Sequence, residues 1–422
     1  MSKIQTPRGM KDITPNESKR WRKLRVIVEE AMDKLNYNFL TTPIVENVEV
    51  FNKTVGVDSD ILSKEMYIFE DRGNNKLALR PEGTASVCRA YMQHNMASLN
   101  QPVRLAYFGP MFRYDRPQAN RYRQLWQFGA ECIGKSSPEI DAELIYLQNY
   151  IFSKLSIPNY SLKINSLGGK DTRNKFEIDF KKFLKNKFKN LSKESQNRYE
   201  NNPLRIFDSK EEIDQVIIKD APKVIEYLSK NEESHLNQVL SLLTSMNINY
   251  SLTPTIVRGL DYYTDTVWEF EPKVEGSQST IGAGGRYDHL IQKLGGKDIP
   301  GSGFATGIER TLLLANLEQS EEDKAADIYL LPLNHEASNF FFEKIKLFTE
   351  SSYSFIIGDY RNSIRSQLRS ANNLNAKYAF IVGEKEYNQK SITIKNLNEN
   401  GKDKLVKSKD ISQELNNLPT KI

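Results

Sequence analysis

Residues 104–133 read RLAYFGPMFRYDRPQANRYRQLWQFGAECI, and our prediction of the fold starts from this stretch. It opens with a strand-like run, Arg104 to Phe108, which ends at Gly109-Pro110, a turn signal. A second strand-like run extends from Leu125 to Ile133. We therefore predict two strands that an arginine-rich turn separates.

Helix signals lie on either side of this stretch. Thr14-Pro15-Asn16-Glu17 has the form of a capping box with proline at the first helical position, and apolar residues then recur at helical spacing up to Leu35. A second helix is predicted after Ser137-Pro138. Elsewhere the pattern is mostly extended, as in Phe39 to Phe51 and Ser161 to Asn165. Strands outnumber crossover helices, which favours an α+β domain on an antiparallel sheet over a doubly wound fold.

The chain is predicted to divide into a first domain, residues 1–325, and a second, residues 326–422. Residues 171–248 are helical in pattern, rich in lysine and asparagine and poor in glycine, and we interpret them as a helical insertion within the first domain. A charged stretch, Glu318 to Lys324, ends that domain. The second domain is predicted to alternate strands and helices as a small α/β fold. Its elements are Ile328–Leu333 (strand), Glu336–Phe348 (helix), Tyr353–Ile357 (strand), Ile364–Asn373 (helix) and Tyr378–Val382 (strand).

The bulk composition is typical of a globular protein. The 422 residues carry 59 Lys and Arg against 54 Asp and Glu, a net charge of +5 that is compatible with a nucleic-acid partner but does not establish one. No run of about 18 apolar residues is present, so we expect no membrane span. The polar N-terminus, Met1 to Asp12, lacks the apolar segment of a secretory signal. We therefore expect a cytoplasmic location.

The cysteines and histidines offer no metal-binding pattern. Cys88 and Cys132 are too few for a four-thiolate zinc site, and no Cys-x-x-Cys occurs. The histidines are scattered without metal-ligand spacing, at His94, His235, His289 and His335. We interpret the cysteines as buried thiols, and we predict no metal ion held by side chains.

Familiar nucleotide and catalytic motifs are missing. Gly301 to Gly307 reads Gly-x-Gly-x-x-x-Gly, which is one residue too long for the dinucleotide fingerprint and is not set in a βαβ unit. Gly295-Gly296-Lys297-Asp298 lacks the first glycine and the Ser/Thr of a P-loop. Neither Gly-x-Ser-x-Gly nor His-Glu-x-x-His occurs. Dehydrogenase, kinase and protease functions therefore lose support.

Arginines beside strands and glycine turns remain as candidates for chemistry. They are Arg113, Arg116, Arg121, Arg123, Arg258 and Arg310. Guanidinium groups bind phosphate oxygens bidentately and stay charged at any working pH, so several together could hold a triphosphate and stabilise attack on it. Each arginine taken singly is better explained as a solubilising surface charge. The residues alone leave both interpretations open.

Two longer segments resemble signatures of the class II aminoacyl-tRNA synthetases. Phe108 to Gln118, continued by Arg121 to Gln124 and then by Gln127 and Glu131, resembles their second signature. Gly301 to Arg310, with its Gly-Ile-Glu-Arg ending, is similar to the third. The weakly defined first signature would fall around Leu40 to Phe51, centred on Pro43.

Three further segments resemble the histidyl-tRNA synthetase family in particular. Arg80-Pro-Glu82-Gly-Thr84 is similar to that family's loop for the amino group of histidine. Arg258 to Thr264, which reads Arg-Gly-Leu-Asp-Tyr-Tyr-Thr, and Gly282 to Asp288 resemble its substrate motifs. The likeness covers nearly the whole chain and is weakest in residues 171–248. It implies a class II synthetase-like catalytic domain and a C-terminal α/β domain that binds the anticodon.

The resemblance implies a ligase that activates L-histidine with ATP and transfers it to the 3′ end of tRNA(His). The implied histidine-binding residues are Glu82, Gly83, Thr84, Gln127, Glu131, Tyr262 and Tyr263. Glu82 would face the α-ammonium group, Tyr262 would line the pocket, and Glu131 and Tyr263 would bracket the imidazole. A carboxylate and a phenol suit a ring with one donor and one acceptor nitrogen.

The resemblance also implies sites for ATP with Mg²⁺ and for the tRNA acceptor end. The ATP-binding residues would be Arg113, Arg121, Arg258 and Arg310, of which Arg113 and Arg258 would be catalytic. Arg258 would lie at the α-phosphate, in a role that other class II enzymes give to a metal ion. Arg116 and Gln118 would meet the acceptor end of the tRNA. A homodimer is implied as well, because the first signature forms the dimer interface in this family.

The main alternative is a regulatory paralogue that binds histidine but charges no tRNA. Such paralogues usually lose the string from Arg258 to Tyr263 and the C-terminal domain, and both are present here. A ligase of the same fold acting on another acceptor is disfavoured by the same two features.

Three details depart from the family pattern or stay open. Ala119-Asn120 stands where the family usually has glycine at the second position, which puts the base preference of that loop in doubt, and Trp126 replaces the more usual histidine. The lysines from Lys181 to Lys189 surround an apolar helix face that includes Phe176 and Phe180. They suit either a solvated helix or contact with a tRNA backbone.

Overall fold

The computed structural model describes residues 4–54, 65–115, 122–273, 280–317, 326–398 and 403–419 of the chain. Its contacts divide the chain into two compact units, residues 1–317 and 318–422. The predicted domain boundary after residue 325 falls at the end of a segment, 318–325, that lies outside the described residues.

The first unit mixes helices and strands along its whole length. In chain order its elements are α1 (Pro15–Lys34), β1 (Asn38–Phe39), β2 (Val45–Asn47), α2 (Val48–Asn52), β3 (Ile68–Glu70), β4 (Lys76–Leu79), α3 (Thr84–Gln93), β5 (Val103–Phe112), β6 (Gln124–Ile133), α4 (Pro138–Lys154), β7 (Tyr160–Ser166), α5 (Lys170–Lys185), α6 (Lys193–Asn201), α7 (Glu212–Lys219), α8 (Lys230–Ser245), β8 (Tyr250–Leu252), β9 (Thr264–Pro272), β10 (Gly282–Arg286), α9 (Leu290–Lys293), β11 (Gly301–Gly307) and α10 (Ile308–Leu314). The helices predicted after Thr14 and Ser137 are confirmed, as are the strands predicted over 125–133 and 161–165.

A large mixed sheet lies at the centre of this unit. Among the described residues its strand order is β1-β5-β6-β11-β10-β9-β7-β8. Neighbours from β5 to β7 pair antiparallel, whereas β1 pairs parallel with β5 and β8 pairs parallel with β7. The predicted antiparallel sheet is therefore confirmed in its central part. Its two short outermost strands make it mixed. A smaller antiparallel sheet has the order β2-β4-β3.

The register between β6 and β11 fixes the surroundings of Glu131. Glu131 lies opposite Gly303, and Gln127 lies opposite Gly307. A Cβ atom on Gly303 would come within 1.7 Å of a carboxylate oxygen of Glu131, so only glycine fits there. The glycine-rich segment 301–307 is thus a buried strand that lets a neighbouring carboxylate lie close to the backbone.

The turn predicted at Gly109-Pro110 is wrong, because β5 continues through both residues to Phe112. Pro110 pairs with Trp126 of β6, while β1 runs beside β5 only at Leu105 and Ala106. A proline is tolerated on a strand where its missing N–H interrupts no ladder. Gly109 serves close packing instead, since a Cβ atom there would lie 2.4 Å from the Arg80 guanidinium.

The extended stretch predicted over Phe39 to Phe51 is only partly correct. It contains the end of β1 and all of β2, but α2 begins at Val48. The side chain of Asn47 accepts a hydrogen bond from the Glu49 N–H at 2.9 Å and so caps this helix. The short helix was hidden in the sequence because apolar residues occupy positions that suit a strand equally well.

One hydrophobic core joins three helices to the sheet. It includes Leu24 of α1, Leu144 of α4, Val239 of α8 and Trp268 of β9, all with no exposed surface. The α1 helix starts with the predicted capping box, in which Glu17 accepts a hydrogen bond from the Thr14 N–H at 3.2 Å. Both cysteines are buried, as predicted.

The helical region predicted at 171–248 packs in two places. The aromatic rings of Phe176, Phe180 and Phe207 stack on one another at centroid distances of 5.1 and 5.0 Å, so the predicted apolar face of α5 is buried. Residues 203–208 form a 3₁₀ turn in this part. Helix α8, by contrast, packs with α4 in the core described above.

The second unit contains a five-stranded sheet in its described residues. Its elements are β12 (Ile328–Pro332), α11 (His335–Glu343), α12 (Ile345–Thr349), β13 (Phe355–Ile357), α13 (Ile364–Asn373), β14 (Tyr378–Val382), α14 (Glu384–Asn388), β15 (Ser391–Asn396), β16 (Lys404–Lys407) and α15 (Ile411–Asn417). The order is β13-β12-β14-β15-β16, parallel over the first three strands and antiparallel over the last two. The predicted α/β alternation is confirmed, although the helix predicted over 336–348 is interrupted at Lys344. Within the described parts of the chain, no helix is long and apolar enough to cross a membrane.

Candidate active site

A buried carboxyl group, Glu131 on β6, is the centre of the candidate site. Its side chain has no exposed surface. One carboxylate oxygen accepts a hydrogen bond from the Thr84 hydroxyl at 2.6 Å, and the other accepts one from the Tyr287 hydroxyl at 2.5 Å. These donors come from the start of α3 and from the residue after β10, so three distant segments meet at one carboxyl group.

Burial strongly favours the neutral form of Glu131. It raises the pKa of the Glu131 carboxyl to about 8, against the opposing effect of the two hydroxyl donors, and the nearby Glu82 carboxyl raises it further. A ligand that brings a hydrogen-bond donor or a positive charge would favour the ionised form. The site is therefore suited to a ligand with a donor group.

Glu82 lies nearby and caps helix α3. Its oxygens accept hydrogen bonds from the backbone N–H groups of Thr84 at 2.7 Å and Ala85 at 2.8 Å. A carboxylate at a helix N-terminus is stabilised by these donors and by the helix dipole. Burial nevertheless raises the pKa of Glu82, while these N–H groups and Arg113 counteract the rise. Each oxygen keeps a second lone pair for a ligand.

Tyrosine rings form the wall beside these carboxyl groups. Tyr262 and Tyr263 have ring centroids 4.7 Å apart, and Tyr262 meets Tyr287 edge to face at 5.9 Å. Burial raises the pKa of all three phenols, so they stay neutral. Tyr107 belongs to the same wall, and a Cβ atom on Gly83 would lie 2.5 Å from its ring, which explains the glycine at position 83.

Gln127 shares a strand face with Glu131, because residues an even number of positions apart on a strand point to the same side. Its side-chain oxygen is buried and has no hydrogen-bond partner among the described residues. A buried polar atom without a partner is costly, so this oxygen marks a place where a ligand donor is expected.

Arg258 lies at the edge of the tyrosine wall, with its guanidinium carbon 5.6 Å from the centre of the Tyr263 ring. Its Nη1 donates a hydrogen bond to Glu269, while its Nε is buried and lacks a partner among the described residues. Burial opposes the charge on Arg258, but Glu269, Tyr263 and Asp208 outweigh burial and raise the pKa of the guanidinium. Arg258 therefore stays charged and keeps donor capacity.

A chain of hydrogen bonds links Arg258 to Arg310. Thr280 donates its hydroxyl to Glu269 at 3.0 Å, and Arg310 donates from Nη1 to the Thr280 carbonyl at 2.6 Å. Two of the arginines singled out in the sequence therefore belong to one connected set of polar groups. A further arginine singled out in the sequence, Arg113, donates from Nε to the Pro81 carbonyl at 2.9 Å, directly before Glu82.

The segment 282–288 contributes support as well as Tyr287. Arg286 is fully buried and donates to Asp141 at 2.7 Å and to Asp288 at 3.0 Å. A buried ion pair of this kind fixes geometry more than it adds stability. It holds the end of β10, from which Tyr287 reaches Glu131.

The structure brings most of the predicted site residues together. Glu82, Gly83, Thr84, Glu131, Tyr262 and Tyr263 surround one buried region, and Arg258 adjoins it. Arg116, Gln118 and Arg121 lie outside the described residues. Two residues of the site were not predicted from the sequence. Tyr287 lies in the segment 282–288 that resembles a substrate motif, and Glu269 has the pattern of an ordinary strand residue.

No metal site is formed by side chains in the described ranges, where His, Cys, Asp and Glu nowhere gather in threes in a way that could hold an ion.

The groups around Glu131 and Arg258 can do two things chemically. The buried carboxyl and phenol groups can hydrogen-bond a polar ring, and the arginines can hold negative charge at the edge of this region.

Comparison with known proteins gives a consistent result over both units. The profile of the family described as histidyl-tRNA synthetase matches residues 9–168 and 187–311, and that of the anticodon binding domain matches residues 327–418. The unmatched segment between the first two ranges falls within α5 and its flanks.

Similar proteins and a similar solved structure cover nearly the full length. The histidine–tRNA ligase of Natranaerobius thermophilus is 40% identical over 398 residues, which cover 93% of this chain and 94% of the relative. That of Bacillus subtilis is 40% identical over 395 residues, covering 92% and 93%. The crystal structure of apo S. aureus histidyl-tRNA synthetase superposes with a TM-score of 0.82 at 31% identity, covering 98% of this chain and 100% of that one. The chain therefore belongs to the histidyl-tRNA synthetase family.

Proposed function

We propose that this protein activates L-histidine with ATP and transfers the histidyl group to the 3′ end of tRNA(His). The proposal rests above all on Glu131, which is buried, accepts hydrogen bonds from Thr84 and Tyr287, and lies near Tyr263, whose ring in turn adjoins Arg258. A pocket with this composition combines selective hydrogen bonding with a cation for phosphate.

The histidine side chain is proposed to lie between Glu131 and Tyr263. Its imidazole has one nitrogen that donates and one that accepts, and a carboxylate with a neutral phenol complements both. The free oxygen of Gln127 and the remaining lone pairs of Glu82 would accept hydrogen bonds from the α-ammonium group. Gly83 and Thr84 complete the pocket, Thr84 through its bond to Glu131.

The triphosphate of ATP is proposed to lie along Arg113, Arg258 and Arg310, together with Arg121. Arg258 would meet the α-phosphate, where its fixed charge stabilises the negative charge that develops during attack. Mg²⁺ is expected to arrive bound to phosphate oxygens and water and to neutralise part of the triphosphate charge. Carboxylates near the arginines already pair with protein groups, as Glu269 does with Arg258. This fits a mode of binding in which phosphate oxygens supply most of the metal ligands.

The reaction needs no nucleophilic side chain. A carboxylate oxygen of histidine attacks the α-phosphorus, the bond from this phosphorus to the bridging oxygen breaks, and pyrophosphate leaves. A hydroxyl at the 3′ end of the tRNA then attacks the histidyl carbonyl carbon, and AMP leaves. The protein contributes proximity and preorganised charge.

Contact with tRNA is proposed at two places. The second unit, matched as an anticodon binding domain, would read the anticodon. Arg116 and Gln118, in the connection between β5 and β6, would meet the acceptor end. We further propose a homodimer, since apolar side chains on the small sheet such as Ile68 and Phe69 are 52% and 41% exposed and would suit a second copy. The proposed location is the cytoplasm.

The regulatory alternative is less well supported. It requires neither the anticodon binding domain nor arginines beside the pocket, and this chain has both. A regulatory paralogue would bind histidine but would not form histidyl-adenylate, and pyrophosphate exchange distinguishes the two cases.

The test is pyrophosphate exchange with ATP and Mg²⁺, run separately with each of the twenty amino acids, followed by charging of tRNA(His). Exchange is expected with histidine and near background with the others. Histidine binding without exchange would favour the regulatory alternative. Equal exchange with another amino acid would refute the proposed substrate.

A further inference from the structure

The substrate loop, residues 258–263, carries Arg258 at one end and Tyr262 and Tyr263 at the other. Its residues 259–262 form turns outside any helix or strand. Such a loop lacks the regular hydrogen bonds that fix a strand, so side-chain contacts from neighbouring elements decide where its ends lie.

Two side chains of the helical region reach this loop from outside. The Asn202 side-chain amide donates a hydrogen bond to the Asp261 carboxylate at 2.8 Å. Arg205 donates from Nη1 to the carbonyl oxygen of Gly259 at 3.2 Å. The first contact lies directly before the tyrosine pair, and the second lies directly after Arg258.

The 3₁₀ turn that carries Arg205, residues 203–208, is itself firmly supported. Phe207 is buried and stacks on Phe180 at a centroid distance of 5.0 Å. Arg198 donates from Nη1 to the Arg205 carbonyl at 3.1 Å, and Asp208 lies 3.6 Å from the Arg205 Nε. The backbone that carries Arg205 is therefore held by packing and hydrogen bonds, which fixes the position from which its guanidinium reaches the loop.

Arg258 depends on this support because few other groups orient it. Its Nη1 is held by Glu269, and its Nε lacks a partner among the described residues. The Gly259 carbonyl that Arg205 holds belongs to the next residue in the chain. A shift of the loop there would carry Arg258 with it, and misplacement by about 1 Å can cost on the order of 100-fold in rate.

We propose that Asn202 and Arg205 are positioning residues for histidine activation, holding the substrate loop so that Arg258 meets the α-phosphate. This rests on the proposed function and extends it, because it gives the helical region a part in the chemistry of histidine and ATP before any tRNA is bound. Neither residue touches the reacting atoms; both act through the loop.

The experiment measures single-turnover formation of histidyl-adenylate by the full chain without tRNA. Arg205→Ala is expected to lower the activation rate constant by about 10- to 100-fold, with histidine affinity changed much less. Arg205→Lys keeps a charged donor and should recover part of the loss. Asn202→Asp places a like charge against Asp261 and should reduce activation without removing any packed side chain. Lys182→Ala, an exposed change in the same region, should have no effect.

A second arm distinguishes positioning from loss of stability. In an Arg258→Ala background, Arg205→Ala should cost little more, because the group it positions is gone. Equal losses in both backgrounds, or full activity of Arg205→Ala and Asn202→Asp, would overturn the inference while the proposed function stands. A wild-type chain without histidine-dependent activation would overturn the proposed function and this inference together.

Discussion

The pocket around Glu131 and the edge around Arg258 adjoin each other but are held by different means. Glu131 lies on a central strand with a neighbour on each side, and its backbone position is set by the ladders of β5 and β11. Arg258 lies in the loop before β9, where side chains hold it. Its guanidinium donates to Glu269, and Arg205 donates to the carbonyl of the next residue, Gly259.

This difference suggests how selectivity and rate are divided. Groups on a continuous sheet can be kept within a few tenths of an ångström, which suits the recognition of a ring by its two nitrogens. A loop held by a few side-chain contacts places its charge through those contacts, so a single substitution can misplace the charge and lower the rate.

The largest effect is expected at Glu131. Glu131→Gln keeps the shape but replaces an acceptor oxygen by a donor group, so histidine-dependent pyrophosphate exchange should fall in kcat/KM on the order of 10³-fold or more. Most of the loss should appear in histidine recognition. Glu139→Gln, the same change at an exposed position of α4, serves as the control. Wild-type exchange by Glu131→Gln would show that another group reads the ring.

A smaller effect, confined to the chemical step, is expected at Arg258. Arg258→Ala should lower the activation rate by about 10²- to 10³-fold, the scale for removing one preorganised donor. Binding of histidine and ATP should change much less, and transfer from preformed histidyl-adenylate should survive better than activation. Single-turnover kinetics of each half-reaction measure this, with the exposed Arg22→Ala as control. A variant that activates normally but fails to bind histidine would make Arg258 a recognition residue.

The sequence predicted the elements that depend on local signals and missed those that depend on distant contacts. The capping box at Thr14 and the proline after Ser137 are local, and both helices begin where predicted. Gly109-Pro110 is also a local turn signal, yet the strand continues through it, because Arg80 packs against Gly109 and pairing with β6 extends past Pro110. That packing partner could not be read from the stretch itself.

The candidate site shows the same limit. The family likeness indicated Glu131, Thr84 and Tyr263, but no local pattern could show that Tyr287 donates to Glu131 across 156 residues of sequence. Glu269 resembled any polar residue of a half-buried strand until its contact with Arg258 gave it a role. Convergence of arginines is a tertiary property, and spacing alone left it undecided.

The smallest effect is a dependence of stability on pH. Glu131 has a pKa of about 8 in the folded chain against 4.5 as its ordinary value. Between these values the folded state holds a proton that the unfolded state has lost, so this group makes the free energy of unfolding fall as pH rises, by at most about 1.4 kcal/mol per pH unit.

Denaturant unfolding of the ligand-free protein from pH 5 to pH 8 measures this slope. Glu131→Gln should show a shallower fall than the wild type over the whole range. Glu309, whose half-buried carboxyl has a pKa of about 7, provides the comparison, since Glu309→Gln should change the slope between pH 7 and pH 8 much less than the slope between pH 5 and pH 7. Parallel curves for Glu131→Gln and wild type would mean that Glu131 is ionised in the folded state.

Recognition of both imidazole nitrogens by the pocket can be measured by pyrophosphate exchange with histidine and with its two ring-methylated analogues. Each analogue loses the ability to pair one nitrogen with Glu131 or Tyr263 and adds a methyl group to a packed pocket. We expect both analogues to support pyrophosphate exchange at least about 10²-fold less efficiently than histidine. Exchange with either analogue as efficient as that with histidine would contradict the recognition of both nitrogens.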